Sequence, residues 1–169
     1  MSDFPDPSLQ SSPGVVTTSS SSNVGASLLM GIIAGLVAAI IGAAIWAGIV
    51  AVTKFQSGIV AIVVGALVGY AVRFFGRGRT PIYGVIGGVF SLLAVLLGNF
   101  LVIAYFFSID PSIGLPFGSV VTQLLSHPDV VISTLQATTG VIDLLFYAIA
   151  IYEGYRFATG ASFGRRRRR

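Results

Sequence analysis

The chain of 169 residues has no cysteine. That absence excludes disulfides, thiolate metal sites and cysteine nucleophiles together, while leaving the compartment open. Charge is scarce: Asp, Glu, Lys and Arg make up 9% of the residues, where a soluble domain carries roughly a quarter. Histidine occurs once, at His127, so a serine hydrolase would have to pair it with a hydroxyl such as Ser119, eight positions away beside Gly118. Neither a carboxylate pair on facing helices, a phosphate-cradling loop nor a metal-ligand cluster can be read from the spacing. The reading is therefore of a non-enzyme with no cofactor and no metal. Lys and Arg are missing from the first 53 residues, which removes the basic n-region of a secretory signal and makes the first apolar stretch a retained anchor.

What is there is apolar. Hydrophobic residues make up 54% of the chain and the mean hydropathy is +0.91. With about 20 residues needed per membrane span, there is room for four spans, two tails and one sizeable loop, but not for a separate soluble enzyme module. The net charge of +4 invites a nucleic-acid reading, yet nine of the ten basic residues flank apolar spans or form a tail. That pattern speaks for a membrane partner and against nucleic acid.

Residues 1–25 are rich in Ser, Thr, Pro and Gly without apolar periodicity, and are expected to be a disordered tail because burial cannot offset the entropy of ordering them. A membrane domain over 26–160 and a basic tail over 161–169 follow. The first span is expected at about Ser27–Val52, roughly 39 Å long at 1.5 Å per residue, with Trp46 as an interfacial anchor near its far end. A tight break at Thr53-Lys54-Phe55-Gln56-Ser57 leads to a second span at about 58–75. Arg73, Arg77 and Arg79, with Gly76, Gly78 and Pro81, mark the next turn. A third span at about 82–107 ends in the aromatic cluster Tyr105-Phe106-Phe107, and Asp110 and Pro111 close it. The long loop that follows has no Lys or Arg from Ser108 to Gly140. Within it Ser126-His127-Pro128-Asp129 reads as a helix start, Ser126 capping and Pro128 in the first turn, for a short helix on the membrane or over the bundle. The fourth span is expected at about 139–157. The fold class is thus all-α: a transmembrane four-helix bundle of two antiparallel hairpins. Nine basic residues lie on one side against Lys54 alone on the other, which orients both tails to the cytoplasm.

Small residues recur every four positions at Gly31, Gly35, Ala39, Ala43 and Ala47, at Ala61, Gly65 and Gly69, and at Gly84 and Gly88 with Ser91 and Gly98 nearby. Such stripes let helices approach closely, within one chain or between copies. Asn99 is suited to an interhelical hydrogen bond, and Glu153 and Arg156 to an i,i+3 ion pair. Asp143 has two readings: a proton or cation site inside a span, or a carboxylate stabilised by the N-terminus of the fourth helix. Arg165, Arg166, Arg167, Arg168 and Arg169 form a run suited to anionic headgroups or an acidic partner surface.

Trp46-Ala47-Gly48-Ile49 with Thr53, then Gly58-Ile59-Val60-Ala61 and Gly65-Ala66-Leu67-Val68-Gly69, and later Asp143-Leu144-Leu145-Phe146 and Tyr155-Arg156, resemble a family of small bacterial integral membrane proteins with four spans. The resemblance runs from Gly31 to Arg156 and excludes both tails. Relatives tend to carry Tyr-Glu in the first turn where this chain has Phe55-Gln56. The resemblance implies a multi-pass protein of the bacterial inner membrane and carries no activity with it. Three functions stay open: an accessory or scaffold subunit of a membrane complex, partnered by other membrane subunits or by itself; a small transporter or channel using Asp143; and an adaptor that recruits partners through its tails.

Overall fold

The computed structural model describes residues 21–54, 58–78 and 80–160, with side-chain surroundings from residue 25 onward. The expected N-terminal tail up to residue 20, the turn residues Phe55, Gln56 and Ser57, Arg79, and the run Arg165–Arg169 lie outside the described residues. What is described is all-helical, with six helices: α1 (Ser21–Thr53), α2 (Gly58–Gly76), α3 (Pro81–Ser108), α4 (Phe117–Ser126), α5 (Pro128–Thr138) and α6 (Val141–Thr159).

Helices α1, α2 and α3 are long and apolar enough to cross a membrane. Their ends fall where glycine, proline and charge interrupt the apolar runs. Pro81 opens α3 in the first turn, where its missing N–H costs nothing. α1 starts at Ser21, six residues before the start at Ser27 read from hydropathy, because serine and asparagine there do not break a helix that has already nucleated. The fourth span is more qualified than expected. Asp143, Glu153 and Arg156 dilute α6, which joins the count of apolar spans only together with α5, from which it bends by 106° across residues 139–140.

α1 packs on α2 and α3, and α6 packs on the same two helices from the other side, while α1 and α6 do not meet. Facing residues give the directions. Gly31 of α1 meets Gly76 of α2, so these helices run oppositely; Gly35 and Gly98 bring α1 beside Phe90 of α3 and α3 beside Trp46, so those two run the same way. Gly65 and Gly69 of α2 meet Ala150 and Gly154 of α6 in parallel, whereas Gly84 and Gly88 of α3 meet Thr159 and Ile151 of α6 in antiparallel order. Arg73, Arg77 and Arg156 consequently gather at one end, and Lys54, α4, α5 and the start of α6 at the other.

The size of the side chains inverts between inside and outside. Buried positions on the long helices are mostly small: Ala38, Ala39, Ala43, Ala61, Ala94, Ala150 and Ala158, with Val64, Val68 and Val72. Large aliphatic residues such as Leu29, Ile33, Ile40, Ile62, Val85 and Leu144 face outward. In water this arrangement would leave a large apolar surface uncovered.

Three features of the loop and core differ from the sequence reading. The loop contains two helices, because residues 117–126 form α4, which seats Val120 and Leu124 on Ile103 and Ala104 of α3. Ser126 does not cap α5: its hydroxyl donates to the Thr122 carbonyl within α4, and His127 stands at the cap position without a side-chain capping bond to α5. Trp46, expected as an interfacial anchor, is fully buried within the bundle; its indole N–H finds a partner inside the protein, which removes the reason for it to seek the headgroup layer.

Candidate functional site

Two regions gather the residues singled out by the sequence. The first is a seam in which α6 lies in the groove between α2 and α3. A β-carbon on Gly65 would stand 2.6 Å from the Ala150 carbonyl oxygen, and one on Gly87 2.6 Å from that of Gly154; one on Gly69 would overlap the Gly154 carbonyl. Gly84 lies under Thr159 and Tyr155, and Gly88 under Ile151. On the other side, Gly31 faces the α2 backbone at Gly76 and Val72, and a β-carbon on Gly35 would come within 2.7 Å of Val72 Cγ2. Ala39 is buried beside them. The backbones are thus in direct contact, the arrangement that small residues allow. The matching stripe on α6, Ala150, Gly154 and Ala158, is buried along its length. It was not singled out from the sequence, although its four-residue spacing is the same signal as on α2; Glu153 and Arg156 interrupt the apolar pattern around it. Gly87 and Tyr83 were missed too. Tyr83 is buried against Gly31, Gly76 and Gly78, and shares a hydrogen bond with the Ser27 hydroxyl.

A polar node crosses the bundle above the seam. The Trp46 indole N–H donates to Asn99 Oδ1 at 2.9 Å, and the Asn99 amide donates to the Tyr147 hydroxyl at 2.7 Å. One asparagine on α3 therefore ties α1 to α6. Among the described residues no buried side-chain nitrogen or oxygen lacks a partner. Ser91 is satisfied by donating to the Gly87 carbonyl at 2.7 Å.

The second region is a cleft of about 330 Å³ at the end away from the arginines, between the end of α1, the last turns of α3, α5 and the start of α6. Its walls are Val50, Val102, Ile103 and Phe106, roofed by Leu135 and Thr138 of α5. Lys54 and Asp143 are the two charged residues lining it, with Asn99 and Tyr147 at its inner wall. Lys54 sits in left-handed backbone at φ 58°, and its Nζ lies 4.4 Å from the Phe106 ring centre and 5.3 Å from that of Tyr105, within cation–π range. Asp143 accepts a hydrogen bond from the Gly140 N–H at 2.7 Å through Oδ2. This is the returning half of a capping box; glycine has no side chain to make the other half. The local task of Asp143 is therefore to close the start of α6, where a negative charge also complements the helix dipole.

Glu153 and Arg156 pair at 3.2 Å on one face of α6. Ser119 and His127 stand at opposite ends of α4, about 12 Å apart along the helix, and the His127 ring is engaged with the Gln123 carbonyl. Among the described residues no three Asp, Glu or His side chains come together as a metal-binding group. Beyond the helices, Asp110 makes a tight turn: its Oδ1 accepts from the Ser112 hydroxyl at 2.7 Å and from the Ser112 N–H at 2.8 Å. Those two bonds hold its carboxyl below the usual carboxylate range.

Comparison with protein-family models, with curated proteins and with solved structures gives no match.

Proposed function

We propose that this chain is a multi-pass protein of the bacterial inner membrane that serves as a non-catalytic accessory or scaffold subunit of a membrane complex. The observation that carries the reading is the inverted side-chain size: glycine and alanine, with some valine, inside, and leucine and isoleucine mostly outside. Lipid tails solvate such an exterior, and only close van der Waals packing is left to hold the helices together, which is what small residues supply. In this reading α1, α2, α3 and α6 are four spans and form two antiparallel hairpins, α1 with α2 and α3 with α6. α4 and α5 lie over the outer end, at the membrane interface. The gathering of Arg73, Arg77 and Arg156 at one end supports a cytoplasmic position for that end and for both tails, with the Arg165–Arg169 run on anionic headgroups. The resemblance to small four-span bacterial membrane proteins agrees with it.

The scaffold role is supported by an interior that is filled with backbone contacts and a closed Trp46–Asn99–Tyr147 network, a build suited to holding a fixed shape. Purification of the native chain from its own membranes in mild detergent tests it. A stable complex with other membrane subunits, or a discrete oligomer, is expected; a chain that runs alone under these conditions contradicts the role. The alternative carrier, in which Asp143 binds a proton or cation, has the cleft in its favour. Against it stand the Gly140 capping bond and the Lys54 ammonium lining the same cleft. Flux in proteoliposomes that is lost in Asp143→Asn would bring the carrier back.

A further inference from the structure

We propose that the cleft beneath α5 is a binding site for one zwitterionic phospholipid of the phosphatidylethanolamine type. The proposal rests on the membrane reading above. A site that takes an amphiphile needs an apolar wall continuous with the lipid-facing surface and a small number of placed polar groups. Val102, Ile103 and Phe106 supply the wall, and Lys54 and Asp143 supply charges of opposite sign lining the same cleft.

The two charges are not consumed by each other. Among the described residues the one ion pair is Glu153–Arg156. Lys54 rests on the faces of Tyr105 and Phe106, and Asp143 uses Oδ2 on the Gly140 N–H, with Oδ1 accepting no bond from a described residue. A site lined by a cation alone would select an anionic lipid, and one lined by a carboxylate alone a metal ion or proton. An ammonium and a carboxylate held apart over an apolar wall select a dipolar headgroup: phosphate on Lys54, a primary ammonium on Asp143 Oδ1, and acyl chain along α3. The ammonium matters because its N–H groups can make charge-assisted hydrogen bonds to the carboxylate. A quaternary choline cannot donate them, and a glycerol headgroup has no cation. The sharp bend between α5 and α6 creates the space, since α5 turns over the end of the bundle instead of continuing the line of α6.

The test is native mass spectrometry of the full-length protein in detergent, titrated in parallel with palmitoyl-oleoyl phosphatidylethanolamine, phosphatidylcholine and phosphatidylglycerol. The wild type is expected to retain one phosphatidylethanolamine with about tenfold preference over the other two, the scale of one charge-assisted contact. Asp143→Asn should remove that preference, whereas Lys54→Gln, which takes away the phosphate contact common to the three lipids, should lower retention of all of them. The asparagine variant retains a carbonyl oxygen for the Gly140 N–H, so α6 stays capped. Leu135→Trp, which fills the cleft and leaves both charges, should lower retention of all three lipids. Equal retention of the three lipids by the wild type overturns the proposal without reference to any variant. So does a preference that survives in Asp143→Asn. Alkaline carbonate extraction of native membranes separates this from the reading beneath it: release of the chain into the supernatant overturns the membrane assignment itself, whereas an integral chain without lipid preference overturns the cleft alone.

Discussion

The seam between α2, α3 and α6 and the cleft under α5 are parts of one molecule with opposite tolerances. In the seam Gly65, Gly69 and Gly87 face the backbone carbonyls of Ala150 and Gly154, which have no flexible end to yield when an atom is added. Under α5 the reverse holds: none of the residues of α5 is fully buried, and the space between it and α3 stays open. α4 lies between these extremes, anchored through Val120 and Leu124. The difference shows where rigidity ends. Structure is fixed by residues with almost no side chain, and the charges that could meet a ligand stand where packing is loose.

Substitutions that fill the seam should have the largest effect. Gly154→Leu would drive a side chain into Ser91 and the Gly87 carbonyl, and is expected to destabilise by at least about 1–3 kcal/mol, the usual scale of overpacking. Thermal unfolding of the purified protein in detergent measures it. Gly48→Leu is the matching control, since nothing lies within 4 Å of a β-carbon there; it should leave the midpoint unchanged. Equal losses from both would erase the distinction between seam and surface.

Breaking the polar node comes next. Asn99→Leu leaves the Trp46 indole N–H and the Tyr147 hydroxyl without their shared partner, and stranding a buried donor costs about 1–3 kcal/mol. The chain has a single tryptophan, so its fluorescence reads this site directly, and the emission maximum should move together with the unfolding midpoint. In the looser region the expected change is smaller. Asp143→Ala removes the bond to the Gly140 N–H and the charge at the start of α6, an effect of about 0.3–1 kcal/mol. A loss as large as that of Asn99→Leu would mean that Asp143 does more than close a helix.

The smallest effect lies in the exposed turn after α3. Because the Asp110 carboxyl is held below its ordinary range by Ser112, its contribution is complete above the unfolded-chain value and is lost as pH falls through the lowered one. Ser112→Ala should move that titration upward, as read by NMR of the Asp110 carboxyl carbon, without altering the bundle.

Much of this organisation was legible in the sequence, for physical reasons that also explain the misses. The ends of α2 and α3 follow from hydropathy interrupted by Gly76, Pro81 and Asp110, and the stripe Ala61, Gly65, Gly69 was visible as a four-residue repeat. Asn99 was read as an interhelical bond and Glu153–Arg156 as a pair, because each needs only local spacing and a scarcity of other partners. Asp143 was legible as a helix-start carboxylate. Trp46 was not legible as a core residue: its place near a span end fits an interface, and only Asn99, 53 positions away, reveals its partner. α4 escaped because Pro116 and Gly118 resemble a turn, although Pro116 merely precedes the first turn of a helix. The cleft had no sequence signature, since Lys54, Phe106, Leu135 and Asp143 meet only through the bend between α5 and α6.

The most direct test of the membrane reading uses the absence of cysteine. Single-cysteine variants at Asp129, exposed on α5, and at Arg77, exposed at the arginine end, can be treated with a membrane-impermeant maleimide in spheroplasts. The account expects Asp129→Cys to be modified at once and Arg77→Cys only after lysis. Modification of both before lysis, or of Arg77→Cys alone, would contradict a bundle that crosses the membrane with its arginines inside.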